Sequence, residues 1–154
     1  MPDAVPVPTG DVVRLVVTVE VDDATWRRRR EGRRRPDASF GLRLEVGLAG
    51  GSRVLLRDDR GWTIGLRSVG GAAAPLDVWE HLREEDVLAT ALPTALPEVD
   101  LEHPGPEDLA AYEELADLAA AAGVVVGAEH LRAVPHVVEP GPRLVSALRP
   151  PPAG

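Results

Sequence analysis

Apolar and polar residues alternate through the first half of the chain, and helical spacing takes over in the second. Over residues 11–22, Val13, Leu15, Val17, Val19 and Val21 fall on one face of an extended backbone. Arg14, Thr18, Glu20 and Asp22 share the other face with Val12 and Val16, which predicts a long strand with one buried side. Phe40, Leu42, Leu44, Val46 and Leu48 repeat the pattern against Gly41, Arg43, Glu45 and Gly47. The two strands are expected to pair antiparallel, with residues 26–36 as the loop or flared tip between them. A third strand is expected over 52–57 and a fourth over 62–69, the latter turning Trp62, Ile64 and Leu66 inward. Asp58, Asp59, Arg60 and Gly61 read as the turn joining them.

A four-stranded antiparallel meander over 11–69 with one apolar face needs a cover. Residues 70–75 read as a connector, and Asp77 with Glu80 three residues later reads as a helix start. Val78, Trp79 and Leu82 share one face of that helix, expected near 77–90 and ending or kinking before Pro93. Residues 93–106 contain four Pro and read as a long loop. The strongest helical pattern lies at 107–122, where Leu109, Tyr112, Leu115, Ala116, Leu118, Ala119 and Ala122 occupy one side and Gly123 marks the stop. Residues 124–126 read as a short extended segment, and 128–133 as about one helical turn ended by Pro135. Residues 136–139 and 143–148 flank a Pro-Gly-Pro bend and suggest an edge hairpin.

The predicted fold class is therefore α+β: a four-stranded antiparallel β-meander covered on one face by two α-helices, with a short C-terminal edge element. At 154 residues the chain is most simply one domain over 11–148. It follows an extended lead at 1–10 with three Pro and precedes a Pro-rich tail at 149–154. Glu-His-Leu-Arg occurs at both 80–83 and 129–132, but the flanking residues do not match and no repeat is implied.

Composition then narrows the chemistry. The absence of Cys excludes a disulfide framework, a thiolate nucleophile and a Cys-ligated metal. The absence of Lys excludes a Walker A phosphate loop, and neither Gly-x-Gly-x-x-Gly nor Gly-x-Ser-x-Gly occurs. Every basic side chain apart from His is Arg, and Asn is also missing, a bias that fits a GC-rich bacterial genome. No secretory signal can be read at the start, and the longest apolar run, 118–128, is about half of a membrane span. A cytoplasmic protein without membrane contact is the expectation.

Charge is the most pointed feature. Residues 27–35 hold seven Arg and one Glu, a local +6 in a chain of −8, so the remainder sums to −14. Trp26, Arg27, Arg28, Arg29, Arg30, Arg33, Arg34 and Arg35 are the candidate binding residues, able to hold phosphates and stack one base. The anionic body opposes nucleic acid. Residues 77–117 contain thirteen acids and one Arg, a ready partner for the Arg run within the chain or across a dimer. His81 with Glu84 or Glu85 has spacing that a metal could use, with His130 and His136 as further ligands, yet it lies on the polar side of its helix. No cofactor and no catalytic residue are expected. The sequence points to a non-catalytic interaction protein, an accessory, inhibitory or assembly subunit. Its partner would be a protein with an acidic surface or a second copy of itself. A nucleic-acid or phosphate binder acting through 27–35 is the first alternative, and a small metal-assisted hydrolase using His81 and nearby acids is the second.

Overall fold

A computed structural model describes residues 11–32, 34–66, 76–103 and 105–149. The expected lead at 1–10, the connector at 70–75 and the tail beyond Arg149 lie outside them. The fold is α+β, with strands β1 (Val12–Val21), β2 (Asp37–Leu48), β3 (Arg53–Gly65) and β4 (His136–Pro140) in the order β3-β2-β1-β4. The helices are α1 (Asp23–Arg30), α2 (Glu84–Ala95), α3 (Leu109–Ala121), α4 (Ala128–Ala133) and α5 (Pro142–Leu148). β1 and β2 pair antiparallel as their alternation predicts, from Val12 opposite Leu48 to Val21 opposite Phe40.

Several expectations need correction. The sheet is mixed rather than an antiparallel meander, because β4 pairs parallel to β1, Leu15 opposite His136 and Val19 opposite Pro140. The segment after the Pro-Gly-Pro bend is helix α5, not the second arm of a hairpin. Glu20 explains that bend: its carboxylate accepts from the N–H groups of Arg143 at 3.2 Å and Leu144 at 2.8 Å, satisfying donors at the start of α5. A Cβ at Gly141 would lie 2.2 Å from Glu20 Oε2, so the carboxylate occupies the space a larger residue would need.

The expected third and fourth strands are one strand, β3, and residues 58–61 form no turn. Leu42 pairs with Arg60 and Leu44 with Arg57, so Arg43 faces both Asp58 and Asp59 across a β-bulge. Gly61 serves close approach rather than a turn, since a Cβ there would lie 2.1 Å from the Phe40 carbonyl oxygen. A further register shift, in β1, moves Val13 out to 43% exposure and turns Val12 into the core.

The core face carries Leu15, Val17, Val19 and Val21 of β1 and Ala38 to Leu48 of β2 at alternate positions, all buried. α2 packs on β1, β3 and β4, while α3 packs on β3 and α4. The lid is thus more than two helices. The helix expected near 77–90 is two pieces: Asp77 caps a single 3-10 turn, Val78–Glu80, and α2 begins only at Glu84. Three acids in its first turn suit the helix dipole, and Pro93 sits in the last turn without stopping it before Ala95. α3 matches its predicted pattern, with Tyr112, Leu115 and Ala119 buried and Gly123 at φ +92° after its end. The loop that follows α2 is organised by Asp108, which is buried and accepts from Asp100 N and Gly105 N.

Two Arg of β3 lock the helices from the sheet edge. Arg60 donates to the Ala95 carbonyl at the end of α2 and to Glu98, and Arg57 pairs with Glu114 of α3. On the opposite face, Arg53 of β3 reaches Glu139 of β4 in a bidentate pair at 2.9 and 3.0 Å, although β2 and β1 lie between them. The sheet must curl for its outer strands to meet, and Val16 on this face is fully buried.

The bulge geometry predicts that Gly61→Ala destabilises by about 2 kcal/mol or more, because a backbone carbonyl cannot rotate away. Gly41→Ala, whose Cβ would meet nothing within 4 Å, should cost less than about 1 kcal/mol. Urea unfolding of both variants measures the contrast, and equal costs would mean the β2–β3 register is wrong. A second prediction concerns acid. The hydrogen bond from Arg60 holds the Glu98 carboxyl below its ordinary 4.5, so the stability it contributes is present above that pH and lost as pH falls through the lowered value. At neutral pH wild type should exceed Glu98→Gln by less than about 1 kcal/mol, since the pair is half exposed. That advantage should vanish on acidification. An advantage that grows in acid would refute the pairing.

Candidate functional site

The Arg run is a helix, not a loop. Asp22 accepts from Thr25 N at 2.7 Å as N-cap, Asp23 lies in the first turn, and Arg27 to Arg30 fill the last turn, where cations favour the helix dipole. Gly32 at φ +72° then ends it in the left-handed conformation. Buried Thr25 binds this helix to the sheet, its hydroxyl accepting from Ser39 N at 3.0 Å. The cap and the terminal Gly are both present in the sequence, Asp22 before the helix and Gly32 after it.

α1 follows β1, and α5 follows β4. Because β1 and β4 are parallel neighbours, both helices leave the sheet at the same end. The crevice outside the carboxyl ends of parallel strands is where ligands bind in open α/β sheets, and a cleft lies here also. It holds about 710 Å³ and is bounded by α1, the 77–80 turn and the end of α5. Trp26, Arg29, Arg30, Arg34, Trp79 and Arg149 line it, with Asp77, Glu80 and Ser146. A second groove of about 500 Å³ lies between α1 and Arg143 of α5, lined also by Asp23, Arg27 and Glu31. Trp26 and Arg30, four residues apart on one helix face, line both.

The candidate residues divide by task. Arg29 is structural: its guanidinium lies 5.4 Å from the centre of the Trp79 ring and donates twice to the Ala147 carbonyl, at 3.2 and 3.0 Å. Trp79 meets Phe40 edge-on at 6.1 Å, and Phe40 packs on Trp62 at 5.1 Å, so a chain of rings runs from β3 through β2 to the 77–80 turn, where Arg29 of α1 covers its end. Arg28 is half-buried, with one nitrogen 3.5 Å from Thr25 Oγ1. Arg34 pairs with Glu80 at 3.3 Å, and the Arg35 carbonyl accepts from Val78 N at 2.8 Å. Trp26 is half-buried, whereas Arg27, Arg30 and Arg35 are exposed. Arg33 lies outside the described residues.

The acid-rich 77–117 segment meets the Arg run only in part. Glu80 takes Arg34, while Glu98 and Glu114 are held by Arg60 and Arg57 of β3. At the smaller groove the Arg143 guanidinium hydrogen-bonds Asp23 and holds its carboxyl below the ordinary range. Trp79, Ser146 and Arg149 were not foreseen as site residues. They lie far from α1 in sequence, and only the parallel β1–β4 pairing gathers them.

The histidines do not share a site. His81 is exposed after the 77–80 turn, and His130 contacts the Val12 carbonyl. His136 Nδ1 lies 2.7 Å from the Val134 carbonyl and Nε2 lies 2.8 Å from the Tyr112 hydroxyl. Donation from Nδ1 leaves Nε2 to accept from Tyr112, whose own ionisation is pushed up by burial. Among the described residues no three His, Asp or Glu gather where a metal could be held, and no helix is long and apolar enough to cross a membrane. No family model, curated protein or solved structure matches the chain.

Arg29→Ala should cost about 1–3 kcal/mol, since it removes two charge-assisted hydrogen bonds and the cover on Trp79. Arg30→Ala, which removes only an exposed charge, should stay within about 0.5 kcal/mol. Thermal and urea unfolding compare them. Parity between the two would show that Arg29 does not fasten α1 to α5.

Proposed function

We propose that this protein is a cytoplasmic, non-catalytic interaction protein, an accessory, inhibitory or assembly subunit, whose Arg-bearing helix recognises an acidic surface on another protein. The observation that supports this reading is the division of labour along α1. Asp22 caps the helix and Thr25 and Arg29 fasten it to the body, while Arg27 and Arg30 remain exposed on the helix with half-buried Trp26, and Arg35 is exposed beyond its end. Cations on a fastened helix meet a partner with less ordering cost than cations on a mobile loop. The surrounding charge favours protein over nucleic acid, because a body of −14 repels a polyphosphate as a whole. An acidic protein surface offers local carboxylates without that density of charge. A second copy is the other protein partner open to it, since much of its own 77–117 segment is anionic.

Fluorescence anisotropy with a labelled oligoglutamate peptide and a labelled DNA duplex, both at physiological salt, tests the reading. The peptide should bind and weaken as salt rises. Replacing Arg27, Arg30 and Arg35 together by Ser should lower its affinity about tenfold or more, each rim charge contributing a few tenths of a kcal/mol to about 1 kcal/mol. Tighter binding of the duplex than of the peptide, lost in the same variant, would replace this function with nucleic-acid binding.

A further inference from the structure

The sheet has two edges, and they are not protected alike. β4 is short, half-buried along its length and ends in Pro140, which has no N–H to offer. β3 runs from Arg53 to Gly65 at the opposite edge, where β2 is its one partner strand among the described residues. Its middle is guarded by the bulge and by the charges of Arg57, Asp58, Asp59 and Arg60. Beyond Arg60 the guard stops: Gly61, Thr63 and Gly65 are exposed and carry no charge.

The hydrogen bonds of β2 show which way those three residues face. Ser39 turns its backbone away from β3, its N–H donating to Thr25 Oγ1 and its carbonyl accepting from Asp22 N. Positions in an antiparallel ladder alternate, so Thr63, opposite Ser39, exchanges no backbone bonds with β2. The same holds two residues away on each side, at Gly61 and Gly65, while the backbones of Trp62 and Ile64 face β2. Leu66 N, in phase with Ile64, donates to the Pro36 carbonyl at 2.7 Å. The N–H and C=O groups of Gly61, Thr63 and Gly65 therefore point out of the sheet edge. Among the described residues no backbone group pairs with them.

Water satisfies such a row in a single molecule; its match in another protein is an extended backbone at strand spacing. The order of residues selects the strand. Gly61-x-Thr63-x-Gly65 reads the same in both directions. A two-fold axis through Thr63 thus sets Gly61 against Gly65 of a second copy and Thr63 against itself. Each of those pairs can exchange both backbone bonds, and no charged residue lies among them. Trp62 then lies opposite Ile64, an aromatic and β-branched pair, and Arg60 lies opposite Leu66. An axis through Arg57, Asp58, Asp59 or Arg60 would instead set a charge against its own copy.

We infer that two copies of this chain associate through the 61–65 edge of β3, antiparallel about Thr63, joining their sheets into one. The inference uses no residue of the Arg helix and stands independently of the interaction reading above. So short a ladder belongs to the weak, concentration-dependent class of interface.

Sedimentation velocity on the full chain, from about 1 μM to about 1 mM, tests it. Wild type should pass from monomer to dimer within that range, with no loss of dimer as salt rises, because no ion pair holds the contact. Thr63→Pro removes the central outward donor without touching the β2 ladder, and should weaken association about tenfold or more. Thr63→Asp, which opposes two carboxylates across the axis, should do the same. The chain has no Cys, so Thr63→Cys provides a readout that does not depend on how those variants fold. Residues of a bonded antiparallel pair lie about 5.5 Å apart at Cα, within disulfide reach. In a glutathione buffer Thr63→Cys should therefore cross-link to a dimer, and Val125→Cys, exposed between α3 and α4, should not. Wild type that stays monomeric to about 1 mM would overturn the inference, as would equal cross-linking of the two Cys variants. A dimer kept by the Thr63 variants but lost when Arg27, Arg30 and Arg35 are replaced by Ser would also overturn it, assigning self-association to the Arg helix.

Discussion

A strand buried in the middle of a sheet must satisfy its backbone groups on both edges, and β1 is that strand here. Its core-facing Leu15, Val17, Val19 and Val21 are removed from water, so neither row of amides can turn to solvent for partners. β2 takes one edge and β4 the other. The second pairing joins the beginning of the chain to its end, and being parallel it sends α1 and α5 out at the same end of the sheet. The Glu20 carboxylate, also on β1, then holds the start of α5. The cleft exists because of these constraints: without β4 on β1, Arg149 and Ser146 would have no reason to lie near Trp26.

Arginine does three different jobs in this molecule, and position separates them. Arg57 and Arg60 sit on the side of β3 that faces the helices and bind α3 and α2 through carboxylate and carbonyl oxygens. Arg53 closes the opposite face with Glu139. Arg29 seals an aromatic ring and a helix end. These guanidinium groups satisfy groups that would otherwise be poorly paired, using the planar fork that Lys lacks. The exposed arginines of α1 stand outside that internal work, which is why the surface reading concentrates on them.

The strands on either side of the Arg run, the helix at 109–121 and the turn of helix at 128–133 follow from local patterning. Alternation of Val and Leu with polar residues permits few other arrangements, and the Leu115 side of α3 has a single apolar stripe. The α1 helix was also legible, in Asp22 as cap and Gly32 as stop, but seven arginines in nine residues read more readily as a solvated loop. The bulge at Asp58 and Asp59 was harder, because two acids before Arg-Gly resemble a turn. Only the register against Leu42 and Leu44 reveals a continuous strand.

Sequence by itself determined the α+β class, the aliphatic core face of β1 and β2, and the concentration of positive charge after residue 26. These rest on interactions between residues close in the chain, where periodicity and composition act directly. Tertiary structure decided which edge β4 would join, how the outer strands curl together through Arg53 and Glu139, and which side chains share the cleft. Each of those outcomes depends on a pairing between segments far apart in the chain. Local propensity favours a strand at 136–140 without choosing its neighbour or direction. The unpaired edge of β1 and the reach of Glu20 to the amides of α5 make that choice, and with it they bring Trp26, Trp79 and Arg149 to one place.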